Sequence, residues 1–376
     1  MTGCCIMINM KTKTLFVSRS VRSMFLLFTT AILIATTGCR TVAPASRDYS
    51  VVVLGDLHYD DARFHTKEKP GSKDKQYVWK EKSPALLAAS AATVGPDTDF
   101  ALQLGDIIDG YAASSVAHTQ MLAEATSILE QTYHGLPVVV VCGNHDVGPN
   151  AFKTFMVPWQ AAQLASLTTN EVKSTTFGFR HGPDLWVVID FTSGAGTVNT
   201  VAKIFADNPD VRYTFIAIHG PVLPMDVWKL RWFYLGAESM NNARRKMREM
   251  LAKRNAIVLS AHVHALEYKD WYGDGGRITE MVLDSIPRAS SDFSKPVVPD
   301  VISETPDDYG AWLKTLEKTD ANVRFDALFD EYRPGLKARY AAKATGHHVL
   351  RASDSGVILE YYGGTATEPT KVFKLR

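Results

Sequence analysis

Residues 51–58 read VVVLGDLH, an apolar run that ends in Gly-Asp-x-His. The run is short, β-rich and continuous rather than alternating, which is typical of a strand buried on both faces. Runs of the same kind recur along the chain. The six strands predicted in this way are Ser50–Leu54, Phe100–Leu104, Pro137–Cys142, Leu185–Ile189, Tyr213–Ile218 and Ile257–Ser260.

Stretches of helical composition lie between several of these strands. They are Ser83–Val94, Ser115–Tyr133 and Glu238–Asn255. Strands that alternate with helices predict a layered α/β fold. Residues 59–82 are Lys-rich and predict a long surface loop, whereas His348–Tyr362 and Thr370–Leu375 predict closing strands.

These patterns predict a division of the chain into five parts. Residues 1–39 form a leader, 40–48 a polar tether and 49–286 the core. Residues 287–345 begin with Pro and Ser and then become helical, which predicts a mostly helical insertion with helices near 312–318 and 323–332. Residues 346–376 supply C-terminal strands that complete the core.

The leader has the organisation of a secretory signal. Basic residues and no acidic residue precede an apolar run from Met24 to Ala35, and Gly38-Cys39 follows. This order predicts export, and the run is shorter than the roughly 20 residues of a membrane span. Gly38-Cys39 resembles a bacterial lipobox, so we expect a periplasmic or cell-surface protein that a lipid on Cys39 attaches to the membrane. An uncleaved signal anchor is the alternative.

Composition excludes several classes of protein. The 376 residues carry 41 basic and 40 acidic side chains, and 46% of them are hydrophobic. This balance is typical of a globular protein and lacks the basic excess of a nucleic-acid-binding surface. Only Cys39 and Cys142 remain of the four cysteines once Cys4 and Cys5 are removed with the leader, and two are too few for a disulfide framework.

Metal-ligand residue types directly follow five of the predicted strands. The motifs are Gly55-Asp56-Leu57-His58, Gly105-Asp106-Ile107-Ile108-Asp109, Gly143-Asn144-His145-Asp146, His219-Gly220-Pro221 and Ala261-His262-Val263-His264. Ligands bind outside the carboxyl ends of strands in open α/β sheets, so we expect the motifs to converge on one cleft. Imidazole, carboxylate and amide oxygen suit Mn, Fe, Co or Zn. Seven candidate ligands besides His145 are more than one ion needs, which indicates two.

Each motif alone also has a structural explanation, as a turn or as a histidine satisfied within the core. The ordered set of five does not. It resembles the calcineurin-like metallophosphoesterase superfamily over residues 49–285 and the closing strands. The resemblance implies a two-sheet β-sandwich flanked by helices, with a dinuclear metal centre.

Residue roles follow from the resemblance, motif by motif. It implies that one metal is held by Asp56, His58 and His264, that the other is held by Asn144, His219 and His262, and that Asp106 bridges them. His145 would stand beside the scissile phosphate and protonate the leaving oxygen, and Asp109 would orient its imidazole. The chain departs from the family at Ala261, where Gly is usual. Gly110 replaces the Arg of phosphoprotein phosphatases, and Asp109 replaces the Tyr of purple acid phosphatases.

The implied function is hydrolysis of phosphodiesters or phosphomonoesters by two divalent transition metal ions (Mn, Fe or Zn). A hydroxide that bridges the ions would be the nucleophile and His145 the general acid. One alternative is a specialised phosphatase or nucleotidase whose specificity is set by residues 287–345. Another is a catalytically silent cell-surface binding protein that retains the fold. Residues 222–236 are expected either to line the cleft or to form a packing loop.

Overall fold

The computed structural model describes residues 47–68, 70–148, 151–225, 233–316 and 320–376. The predicted leader with Cys39 lies outside the described residues, and export therefore stays a prediction. Residues 226–232, in the middle of the expected cleft loop, also lie outside them. None of the helices in the described ranges combines the length and the hydropathy that a membrane span requires.

The described residues form fourteen strands and eight α-helices. The strands are β1 (Tyr49–Leu54), β2 (Thr98–Gln103), β3 (Val138–Val140), β4 (Phe177–His181), β5 (Asp184–Ile189), β6 (Thr214–Ile218), β7 (Ile257–Ser260), β8 (Leu266–Gly273), β9 (Gly276–Val282), β10 (Asp300–Ser303), β11 (Leu336–Lys343), β12 (Gly346–Ser353), β13 (Gly356–Gly363) and β14 (Lys371–Lys374). The helices are α1 (Lys73–Glu81), α2 (Ser83–Ala92), α3 (Ser115–Thr132), α4 (Ala151–Leu164), α5 (Thr197–Asp207), α6 (Asn241–Lys253), α7 (Pro306–Thr315) and α8 (Asp320–Tyr332).

The strands form two mixed sheets. The first has the order β14-β13-β12-β1-β2-β3 and the second β10-β11-β8-β9-β7-β6-β5-β4. The six strands predicted from continuous apolar runs are β1, β2, β3, β5, β6 and β7, and they pair in parallel, three in each sheet. Their carboxyl ends therefore lie together at one edge of each sheet.

Apolar side chains fill the space between the sheets and cover both outer faces. Val51 and Phe100 of the first sheet pack with Trp186 and Phe215 of the second in a shared core. Helices α3 and α4 cover the outer face of the first sheet, and α5 to α8 cover that of the second. The expected two-sheet β-sandwich flanked by helices is confirmed.

Two segments differ from the sequence-based expectation. Residues 59–82 contain helix α1, for which Ser72 is the N-cap, and Phe64 and Val78 are buried; the prediction of a loop throughout was wrong. Residues 287–345 contain helices α7 and α8 together with β10 and β11, which extend the second sheet through β8. The division into a core and an insertion stays a prediction.

Two adjacent histidines in β12 predict acid sensitivity of the fold. Burial lowers the pKa of His347 to about 4, and burial together with His347 lowers the pKa of His348 to about 3. Unfolded histidines titrate near pH 6.5. As the pH falls below that value, the unfolded state takes up protons first and stability is lost. At pH 5 each histidine should cost about 2 kcal/mol of unfolding free energy.

We therefore expect His348→Leu to reduce the loss of stability between pH 7.5 and pH 5 by about 2 kcal/mol. Urea unfolding at the two pH values measures this difference. The control is His134→Leu, because His134 is exposed in the turn that follows α3. An unchanged pH dependence in His348→Leu would contradict the prediction.

Candidate metal centre

The five motifs meet where the parallel strands end. Of the eight non-glycine residues with positive φ in the described ranges, four belong to these motifs: His58 (49°), Asp106 (50°), His262 (70°) and His264 (57°). Such backbone costs free energy and is concentrated at functional sites. The turns after the strands therefore adopt unfavourable backbone conformations, and these conformations direct the four side chains toward the site.

One group of side chains combines Asp56, His58 and His264. Oδ1 of Asp56 lies 3.4 Å from Nε2 of His264 and 3.7 Å from Nε2 of His58. The two Nε2 atoms are 3.4 Å apart. Oδ2 of Asp56 accepts the backbone N–H of His262 at 2.9 Å, which fixes the carboxylate with Oδ1 toward the imidazoles.

The second group combines Asp106, His219 and His262. Nε2 of His219 lies 3.2 Å from Oδ2 of Asp106 and 3.0 Å from Nδ1 of His262. Asn144 joins them, since its Oδ1 is 3.2 Å from the same Nε2. Nδ1 of His219 contacts the carbonyl of Leu104 at 2.8 Å. A carbonyl only accepts, so Nδ1 carries the hydrogen and Nε2 is left as a ligand atom.

Asp106 stands between the two groups. Its Oδ2 is 3.2 Å from Nε2 of His219 and 3.8 Å from Nε2 of His58. Its Oδ1 accepts the backbone N–H of His145 at 2.8 Å. One carboxylate oxygen thus faces both groups while the other is occupied by the backbone, and the seven candidate ligands form one continuous cluster.

His145 lies beside this cluster, but its contact with Asp109 differs from the expectation. Nδ1 of His145 donates to the backbone carbonyl of Asp109 at 2.6 Å, whereas the Asp109 carboxylate lies 3.1 Å from Nδ1 of His58. From the family resemblance we expected the Asp109 carboxylate to orient His145. The turn after β2 instead directs the carbonyl to His145 and the side chain to a candidate ligand. Nε2 of His145 lies 3.9 Å from Oδ2 of Asp106.

Burial and charge act in opposite directions on the pKa values of the cluster. Burial disfavours ionised Asp106, but His219 and His58 hold its pKa below the ordinary value. Burial would lower the pKa of His219, and Asp106 and Asp56 raise it to about 9. Burial lowers the pKa of His58 to about 4 although Asp109 opposes this. Ionised Asp106 and neutral His58 are the forms that bind metals.

The donor set fits divalent transition metals. Oδ1 of Asp56 is buried, and no hydrogen-bond donor among the described residues satisfies it. Three imidazole Nε2 atoms, those of His264, His58 and His219, nevertheless converge on it at 3.4, 3.7 and 4.0 Å. A cation among these atoms would satisfy the carboxylate and the ring nitrogens together. Mixed N and O donors of this kind suit Mn, Fe, Co or Zn.

Asp146, to which the sequence assigned no role, supports the turns that carry the ligands. It is buried and accepts backbone N–H groups from Gly143 at 2.8 Å and Asp106 at 2.9 Å. The turns pack so closely that a Cβ on Gly143 would lie 2.2 Å from the backbone nitrogen of Asp106. The aspartate after Gly-Asn-His was visible in the sequence, but its backbone partners depend on how the turns meet.

A buried ionic network fixes the backbone after His219. Nζ of Lys269 lies 3.2 Å from Oε2 of Glu267 and 3.2 Å from Oε2 of Glu280. Glu280 also accepts the backbone N–H groups of Val222 and Leu223 at 2.7 and 3.2 Å. These charges are fully buried. Breaking such a network leaves an uncompensated charge, so the segment 222–223 is held firmly in place.

Comparisons with known proteins find a matching family model and similar folds. The calcineurin-like phosphoesterase family model matches residues 49–266, more than half of the chain. A purple acid phosphatase from yellow lupin (Lupinus luteus) seeds has a similar structure, with a TM-score of 0.52, 13% identity and coverage of 88% of this chain and 54% of that chain. PhoD has a TM-score of 0.50, 12% identity and coverage of 88% and 70%.

At these identities the structural likenesses show the fold alone. The chain spans about half the length of the lupin phosphatase. No curated protein sequence matches the chain.

Proposed function

This chain belongs to the calcineurin-like phosphoesterase family, and from that membership we propose that it hydrolyses phosphodiesters or phosphomonoesters with two divalent transition metal ions. The observation that carries the proposal is the convergence of two groups of ligands on Asp106. Asp56, His58 and His264 would hold one ion, and Asn144, His219 and His262 the other. Oδ2 of Asp106, which faces both groups, would be shared.

When bound, a pair of such ions neutralises the charge of the phosphoryl oxygens and activates water as a nucleophile. The protein supplies the remaining chemistry. The carbonyl of Asp109 accepts a hydrogen bond from Nδ1–H of His145, which leaves Nε2, on the side of the cluster, as the atom that exchanges a proton. The imidazolium form carries a second proton on Nε2 and would donate it to the leaving oxygen, which returns the ring to its neutral Nδ1–H form. The Asp109 carboxylate orients His58 through Nδ1, as carboxylates commonly do for metal-binding histidines.

The test is turnover of bis(p-nitrophenyl) phosphate and p-nitrophenyl phosphate by the purified protein. The protein would be stripped by a chelator and reloaded separately with Mn, Fe or Zn. We expect the chelator to abolish hydrolysis and at least one metal to restore it, because the ions would supply both the neutralising charge and the activated water. A preference for the diester would assign a phosphodiesterase and the reverse a phosphomonoesterase.

The control is metal content, measured on the same reloaded samples. If two ions bind and neither ester is hydrolysed, the proposed activity on simple phosphate esters is contradicted.

A further inference from the structure

A cavity of about 420 Å³ adjoins His145 and Asn144. Its volume lies within the range of small-molecule sites. The other described residues that line it come from the loop before α3, the start of α3 and the turn after β3: Asp109, Tyr111, Ala112, Ser114, Ser115, His118, Val147 and Gly148. This described lining contains no lysine or arginine. Its polar side chains are those of Ser114, Ser115 and His118, together with Asp109, His145 and Asn144.

Tyr111 presents an exposed aromatic ring at this cavity. It is 70% exposed, although most large apolar side chains in the described ranges are buried. The ring contacts the imidazole of His145 edge-on, with centroids 5.3 Å apart and an angle of 85° between the planes. Val147, which also lines the cavity, is 42% exposed. Two exposed apolar side chains thus lie beside the residue assigned to protonate the leaving oxygen.

The backbone holds Tyr111 in this position at a cost. Gly110 and Tyr111 both have positive φ, of 69° and 54°. For a bulky residue such as tyrosine this conformation is an outlier, and strain of this kind persists where the surrounding structure imposes it. A Cβ on Gly110 would lie 2.6 Å from the carbonyl oxygen of His145. The turn is therefore packed directly against His145, and its conformation keeps the tyrosine ring beside the imidazole.

We propose that Tyr111 determines leaving-group specificity by packing against a flat organic group, such as an aromatic ring, in the cavity beside His145. This inference rests on the proposed function. If His145 protonates the leaving oxygen, the leaving group must lie on the same side as His145, which is where the cavity is. The exposed ring supplies the contact area.

The test compares two non-hydrolysable probes, phenylphosphonate and methylphosphonate, by calorimetric titration of the full-length, metal-loaded protein. We expect the wild type to bind phenylphosphonate about three- to tenfold more tightly than methylphosphonate, as is usual for an aromatic contact. Tyr111→Ala should abolish that preference without weakening methylphosphonate binding. Tyr111→Phe should retain it. Tyr272→Ala is the matched control, because Tyr272 is 43% exposed on β8.

Kinetics separate this role from positioning of His145. In Tyr111→Ala we expect KM for p-nitrophenyl esters to rise with kcat for alkyl esters unchanged. A fall in kcat for alkyl esters, equal binding of the two probes by the wild type, or an unaltered preference in Tyr111→Ala would each overturn the inference. Failure of the proposed function would look different: the wild type would show no metal-dependent hydrolysis, although it would still prefer phenylphosphonate over methylphosphonate.

Discussion

Replacing His145 with alanine is expected to lower kcat by about 10²–10⁴-fold on alkyl phosphate esters, the range that general acid catalysis usually contributes. The imidazole is fixed at Nδ1 by the carbonyl of Asp109, and its Nε2 lies 3.9 Å from Oδ2 of Asp106. It is therefore placed to deliver a proton without being one of the seven candidate metal ligands. An alkoxide leaving group needs that proton, whereas p-nitrophenolate leaves readily without it. The loss should be smallest for p-nitrophenyl esters.

The measurement is kcat for an alkyl ester and for a p-nitrophenyl ester, together with metal content. We expect His145→Ala to retain its metals, because its contact with Asp106 Oδ1 is made by the backbone N–H. His134→Ala is a suitable control, since His134 is exposed and belongs to none of the motifs. Unchanged turnover of the alkyl ester by His145→Ala would refute the role.

The residues of the candidate centre could be predicted from the sequence because they directly follow the apolar strands, which are the clearest local pattern in the chain. Buried parallel strands appear as continuous apolar runs, and the polar residue directly after each run must lie at the carboxyl end of the sheet. His58, Asp106 and His262 each lie within a few residues of the end of such a strand. No knowledge of the pairing of distant strands was needed to expect them in one place.

The partner of Asp109 could not be read in the same way. Gly-Asp-x-x-Asp places Asp109 near the site, but the spacing does not decide whether its carboxylate or its carbonyl meets His145. That choice depends on the turn after β2, in which Asp106 and Gly110 both have positive φ. Backbone conformation of this kind is imposed by packing against the neighbouring turn at Gly143, and packing between distant segments is not encoded in local spacing.

The second sheet shows a different limit. Strands β8 and β11 carry fully buried charges, among them Glu267, Lys269 and Arg339, so neither appears in the sequence as an apolar run. The charges are tolerated because they lie close to one another: Lys269 is 3.2 Å from Glu267 on the same strand, and Arg339 of β11 is 3.7 Å from Glu267 of β8. A pattern based on hydrophobicity assigns such segments to the surface. For this reason strand β11 was not predicted, and residues 287–345 were expected to be mostly helical.

Asp106→Asn is expected to weaken metal binding by at least about 100-fold, since losing even a residue that only supports a ligand costs about 10- to 100-fold. Oδ2 of Asp106 faces both groups, at 3.2 Å from Nε2 of His219 and 3.8 Å from Nε2 of His58. Asparagine keeps the shape and an acceptor for the backbone of His145 but removes the negative charge. The metal content, measured by elemental analysis after dialysis, should fall from about two ions per chain in the wild type to fewer than one in Asp106→Asn.

The control for Asp106→Asn is Asp184→Asn, because Asp184 is also buried but pairs with Arg212 at 2.8 Å rather than with candidate ligands. Asp184→Asn should lower thermal stability and keep both ions, whereas Asp106→Asn should lose ions while the apo forms of variant and wild type unfold at similar temperatures. The comparison separates loss of a ligand from general destabilisation. Two ions bound to Asp106→Asn with unchanged affinity would contradict a shared carboxylate, and the two groups of side chains would then have to bind metal independently.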